Sequence, residues 1–154
     1  MIRRSITDDV PQMAALSEMK RTEYELYAPV FWRKAEDAAI KHTPYLAAQI
    51  GRENTICLVA EQADVIIGFV IANITAAPPV YDPGSLVCYV DDFTVRDSSD
   101  WPKIGKELLT EARRLAALHG ANLTVVVCGQ RDEPKRELLK SEGLYVASEW
   151  YVSG

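Results

Sequence analysis

Two hydrophobic periodicities alternate along this chain, and no other feature of the sequence restricts its fold so strongly. Runs rich in apolar and β-branched residues at 2–6, 55–61, 65–74, 86–95, 123–128 and 145–152 read as strands. Between them, apolar residues recur at helical spacing. Val10, Met13, Leu16 and Met19 mark a first helix, which Thr7 or Asp8 can cap and in whose first turn Asp9 is favourable. A second helical region covers 30–50, with Phe31, Ala35, Ala38, Ala39, Leu46 and Ile50 as its stripe and Pro44 breaking or kinking it. Ile104, Leu108, Leu109, Ala112, Leu115 and Ala116 line one face of a helix at 103–119, and Gly120 is a natural end to it. A short helix at 134–142 has Pro134 early and Gly143 behind it. The predicted order is therefore β-α-α-β-β-β-α-β-α-β, an α/β (mixed α+β) class with a central mixed sheet flanked by helices. Ala63-Asp64 is a hairpin turn, residues 75–84 form a loop and residues 96–102 are irregular. The almost wholly apolar strand at 123–128 is expected at the sheet centre. The helix after the fourth strand and the strand beside it frame a ligand crevice.

Residues 1–154 suit one domain, long enough to bury a core without a disulfide or metal staple. Seventeen Lys and Arg against 22 Asp and Glu give a net charge of −5, which argues against a general nucleic-acid binder. No apolar stretch is long enough to span a bilayer, and the charged start has no apolar run behind it, so a cytoplasmic protein without a membrane partner is expected. The three cysteines, Cys57, Cys88 and Cys128, sit inside apolar runs as small buried residues and show no metal-ligand spacing, so no metal is expected.

The stretch with chemical content is Tyr89-Val90-Asp91-Asp92-Phe93-Thr94-Val95, followed by Trp101-Pro102-Lys103-Ile104-Gly105-Lys106-Glu107-Leu108-Leu109. A helix start after a strand offers free N–H donors and a positive dipole end to a pyrophosphate. Lys103 and Lys106 can add point charges there, while Asp100 repels. This stretch resembles the GNAT superfamily of acetyl-CoA-dependent N-acetyltransferases, whose motif runs Arg/Gln-x-x-Gly-x-Gly/Ala between such a strand and a helix with paired leucines. Gly105 falls on the last glycine of that motif, Asp100 on the Arg/Gln position and Lys103 on the first glycine. A second patch, Asp132-Glu133-Pro134 then Leu138-Leu139-Lys140 and Gly143, is similar to the last helix of spermidine/spermine-type acetyltransferases. There Asp132 replaces an Asn that helps hold coenzyme A, and Leu139 replaces the Tyr that protonates the leaving thiolate.

The resemblance implies transfer of an acetyl group from acetyl-CoA to the amine of a small, cationic substrate. It implies a coenzyme A site at Phe93, Thr94, Val95, Trp101, Lys103, Ile104, Gly105, Lys106 and Asp132. A bulge in the fourth strand is expected to aim an N–H at the thioester carbonyl. Asp91 aligns with the family's base, and Asp92 lies on the other strand face. Either acid can equally be an amine anchor or a structural, salt-bridged group. Tyr145, with Tyr151 and Tyr89, is a stand-in for the missing acid, and an acyl-Cys128 route is the least favoured. Tyr24, Tyr27 and Trp32 lie in a segment of acids and aromatics that suits a cationic amine, or equally helix packing and a homodimer surface. His42 and His119 receive no catalytic role. The alternative to the enzyme is a weakened GNAT-fold module that binds acyl-CoA or a protein partner.

Overall fold

The computed structural model describes residues 1–154. Its centre is the hairpin the sequence marks most clearly. β2 (Thr55–Gln62) and β3 (Val65–Thr75) pair antiparallel, and Ala63 and Asp64 turn between them with φ of 50° and 62°. Positive φ at both turn residues is what a tight two-residue hairpin turn with the sheet's own twist requires. β1 (Ile2–Arg4) adds to the outer side of β2, and β4 (Leu86–Val95) pairs antiparallel with β3. β5 (Ala121–Val126) pairs parallel with β4, as a strand returned by a crossover helix must. The sheet order is β1-β2-β3-β4-β5.

Strand alternation sends side chains to both faces, and each face has its own helices. Ile56, Leu58 and Ala60 of β2, with Val70 and Ala72 of β3, pack under α4 (Lys106–Leu118) and α5 (Glu133–Ser141) through Leu108, Leu109, Ala112, Leu138 and Leu139. On the other face Cys57, Val59, Phe69 and Ile71 meet Val10, Met13 and Leu16 of α1 (Val10–Tyr27) and Leu46 of α3 (Ala38–Gln49). The buried Asp9 joins the entry of α1 to β1. It accepts two bonds from the Arg3 guanidinium at 2.8 Å and one from Ile6 N–H at 2.8 Å. The Arg3 bond holds its carboxyl below the ordinary aspartate value. No helix is long and apolar enough to cross a membrane.

Five expectations change. The first strand stops at Arg4 rather than residue 6, because the chain turns into a short 3₁₀ helix at Thr7–Asp9. The helical region at 30–50 is two pieces, α2 (Pro29–Trp32) and α3, and it breaks at 33–37, while Pro44 is accommodated inside α3. The helix expected from 103 is wound differently at its start. A 3₁₀ turn at Ser98–Asp100 and a wide π turn at Trp101–Gly105 lead into α4. Residues 145–152 form no strand: Tyr145, Trp150 and Tyr151 are exposed, and Trp150 rests edge-on against Phe31 at 5.8 Å. Because nothing pairs with it there, β5 is a sheet edge rather than the sheet centre, and Leu123 and Val125 are about 40% exposed.

Candidate active site

β4 is bound on both sides for only half its length. From Leu86 to Val90 it pairs with β3 and with β5, ending on the Val127 N–H bonded to Val90 O at 3.2 Å. Beyond Val90 the β5 ladder ends. At the same point β4 bulges. Val90 pairs with Ala72 and Phe93 with Val70, so Asp91 and Asp92 together face Ile71 alone. A bulge bends the strand and redirects the side chains and amides at that spot. The parted strands, α1 and the 31–35 segment enclose a cleft of about 320 Å³.

Six expected residues line this cleft: Tyr24, Trp32, Asp91, Asp92, Phe93 and Thr94. The others do not. Val95 is buried in the core beneath α4. Tyr27 stacks on Tyr24 with ring centroids 5.4 Å apart, outside the cleft wall. Tyr145, 88% exposed on the C-terminal segment, is no part of the cleft, so it cannot act as the acid there. Trp101 is fully buried, edge-on to the Phe93 ring at 4.9 Å. Gly105 is present for that ring: a Cβ there would come within 2.5 Å of the Trp101 side chain and 2.9 Å of Leu138. Its missing side chain leaves the room that this packing needs. Ile104 packs half-buried against the same core. Lys103 and Lys106 border a separate surface hollow with Pro102 and Glu107, and Lys106 Nζ pairs with Glu142 at 2.9 Å. Asp132 is buried, accepting 2.7 Å from the Tyr24 hydroxyl with Lys20 Nζ at 3.7 Å. It fastens α5 to α1.

The structure adds residues that the motif reading missed. Lys135 on α5 is 4% exposed, and its Nζ donates to Phe93 O at 3.1 Å. It lies over the Phe93 and Trp101 rings at 5.2 and 5.6 Å. Burial lowers the pKa of this amine, with Cys128 and Asp132 opposing. A signal for it existed: Lys135, Leu138 and Leu139 stand at i, i+3, i+4, which puts the lysine on the apolar stripe. His42 Nε2 lies 3.1 Å from Asp92 Oδ2, and its Nδ1 lies 3.0 Å from Arg21 Nη1. That junction joins α3, β4 and α1, three elements no local pattern connects.

Burial, and then the neighbouring Asp92, raise the Asp91 carboxyl above the ordinary aspartate value, against the Tyr45 hydroxyl and the positive Lys135. The Tyr24 hydroxyl is raised by burial and by Asp132, so it stays a phenol. Burial pushes the Cys128 thiol up to about 11, which removes it as a nucleophile at neutral pH.

Half of this site suits an acyl-CoA. The free edge of β4 beyond Val90 can pair an extended amide chain, and the bulge sits at its end. The turn before α4 offers less. Asp100 N–H is bonded to Asp97 O, Trp101 N–H to Ser98 O and Lys106 N–H to Trp101 O, while Pro102 has no N–H. The Lys103 and Lys106 side chains flank this turn and can add charge to a phosphate held there.

The sheet order, the parting of β4 from β5, the β4 bulge and the crossover helix between them are those of the GNAT fold. The match to solved structures is full-length. A single-site mutant of the BH1408 protein of Bacillus halodurans aligns with a TM-score of 0.87 at 14% identity, covering 100% of this chain and 98% of that one. A predicted acetyltransferase of Clostridium acetobutylicum, solved with acetyl-CoA, aligns at 0.73 and 15% identity over 100% and 95% of the two chains. AAC(6')-Iy in complex with the bisubstrate analog CoA-S-monomethyl-acetylneamine aligns at 0.71 and 14% identity over 100% and 96%. No protein-family model and no curated protein matches the sequence.

Proposed function

We propose that this protein is an acetyl-CoA-dependent N-acetyltransferase acting on a small primary amine that arrives as its ammonium. The observation carrying this reading is the carboxylate pair at the β4 bulge, Asp91 and Asp92, at the point where β4 loses β5. Acetyl-CoA, when bound, supplies the activated acyl group. Its extended arm would run along the free β4 edge at 93–95, and Lys103 and Lys106 would hold its phosphates.

Asp91 draws the ammonium into the cleft and, with its raised pKa, takes the proton directly or through a water, leaving a neutral amine. Asp92 is bonded to His42 and serves as a fixed neighbour rather than a second base. The Lys135 amine, bonded to Phe93 O, is a donor at the parted strands, and a bulge amide would add a second. With Leu139 buried where a phenol is expected, Lys135 would supply the proton to the leaving thiolate. A thiol leaves with a pKa of about 8.5, so it needs less help than an alkoxide.

The solved neighbours with acetyl-CoA and with a CoA bisubstrate analog support the cofactor. A second reading, a binding module without turnover, is favoured by Phe93 O being already engaged. Two measurements separate them. Thermal unfolding with acetyl-CoA against ATP should show a shift for acetyl-CoA alone, on the order of 5 to 10 °C at 100 times Kd. Thiol release with a panel of amines should then detect transfer. Saturable binding with no thiol release from any amine would select the binding module.

A further inference from the structure

The acceptor side of the cleft is basic. Its wall carries Lys20, Arg21, Arg33, Lys34 and Lys135 against two carboxylates, Asp91 and Asp92, in a chain whose net charge is −5. The acids that balance these cations stand behind them, off the wall. Glu18 pairs with Lys34 at 2.6 Å and with Arg21 at 3.0 Å, and Glu23 pairs with Lys20 at 2.8 Å. Arg33 stands exposed at the rim.

One polar group on this wall is unfinished. Ser17 Oγ is buried and makes no hydrogen bond, on a residue only 6% exposed, while Arg21 beside it is held by Glu18 at 3.0 Å from Nη2 and by His42 at 3.0 Å from Nη1. Ser17 and Arg21 are one turn apart on α1 and both face the cleft. Buried polar groups are almost always partnered, so an unpartnered hydroxyl one turn from a guanidinium in a pocket points to an acceptor that comes from outside. Ser O–H and Arg N–H are donors, and a ligand matching both is an oxyanion. The two carboxylates of β4 line the same cleft and take the ammonium. A volume of about 320 Å³ is at the small end of ligand pockets.

We infer that the acceptor is a small zwitterion: an amine that also carries a carboxylate or phosphate, its ammonium at Asp91 and its oxyanion at Ser17, Arg21 and Arg33. This rests on the acetyl-transfer reading and separates the substrate from a polycation, whose second ammonium would meet the basic wall. The fold leaves this choice open, because it is made by side chains on α1 and the 31–35 segment, not by the sheet.

The test compares amines of matched length that differ only at the far end: ω-amino acids of two to six carbons, the corresponding alkylamines, diamines and ω-aminoalkylphosphonates. Thiol release gives kcat/KM for each, and calorimetry without acetyl-CoA gives acceptor binding independently of turnover. The expected result is at least a tenfold preference for the acid-ended amines over alkylamines, with diamines last. Carboxylate and phosphonate series distinguish the two sources of the oxyanion. In Arg33→Ala the KM for the acid-ended amines should rise about tenfold or more, with the alkylamines unchanged. Diamines preferred, or a preference that Arg33→Ala leaves intact, overturns the inference while the transferase reading stands. Binding of acid-ended amines without thiol release from any amine keeps the oxyanion site and overturns the transferase reading. No binding and no turnover overturns both.

Discussion

Phe93 has two sides that differ in kind. Its ring lies edge-on to Trp101 against Gly105 and Leu138, all buried and fitted to within a methyl group. Its carbonyl opens on the cleft, where one lysine is the partner and the Ser17 hydroxyl on α1 has none. The first side is core that happens to occupy a motif position. The second carries a polar group that the fold leaves unsatisfied. Within one residue, packing and chemistry part company, and the motif glycine falls on the packing side.

Removing the packed side has the largest expected effect. Trp101→Ala should cost about 3–5 kcal/mol, as large aromatic truncations in cores do. That corresponds to a fall in Tm on the order of 6 to 20 °C for a domain of this size, readable by calorimetry. A near-neutral result would break the comparison by showing that the turn can repack around its indole. On the cleft side, Asp91→Asn should lower kcat by about 10²- to 10⁴-fold while leaving acetyl-CoA affinity nearly unchanged. Because the folded protein raises this carboxyl, the base form is lost as pH falls, beginning above the ordinary aspartate value of about 3.9. The rate of the native enzyme should therefore show an acid limb above that pH, and the Asn variant should lack it.

Lys135→Met bridges the two sides. It leaves Phe93 O unpartnered, a cost of about 1–3 kcal/mol, and it removes a buried amine. Burial depresses this amine's pKa, so between the depressed value and the ordinary lysine value of about 10.4 the unfolded chain holds more protons than the folded one. Stability then rises with pH across that window. Native protein should gain stability relative to the Met variant as pH rises through that window toward the ordinary lysine value, less whatever the Cys128 thiol, which faces Lys135, contributes differently in the two proteins. Parallel curves would place the lysine pKa unshifted. The smallest effect belongs to Lys106→Ala. It breaks an exposed pair with Glu142 and should change stability by less than about 1 kcal/mol. A drop in acetyl-CoA affinity that shrinks with added salt would show that the side chain carries a phosphate contact.

Much of the sheet was legible because its signals are local. The hairpin at Ala63-Asp64 and the buried strands β2, β3 and β4 announce themselves by turn chemistry and apolar runs. Residues 123–128 and 145–152 carry the same signal, yet one is an edge and the other no strand. An apolar run states that a segment can pair, and only a neighbouring strand decides whether it does. Among site residues, Asp91 and Asp92 were named through the family resemblance, and both line the cleft in the middle of β4. Lys103, Gly105 and Lys106 were likewise named as motif positions, and they lie outside the cleft on the turn that buries Trp101.

The sequence by itself determined the order of elements, the two apolar faces of the sheet and the pair of acids, because periodicity and turn residues act over a few neighbours. Tertiary structure decided everything that needs two distant segments to meet. Val90 marks where β4 and β5 part, Tyr24 reaches Asp132 across 108 residues, His42 reaches Asp92 across 50 and Lys135 reaches Phe93 across 42. Burial and charge at such meeting points depend on what the fold brings within a few ångströms, and no local pattern of residues records that distance.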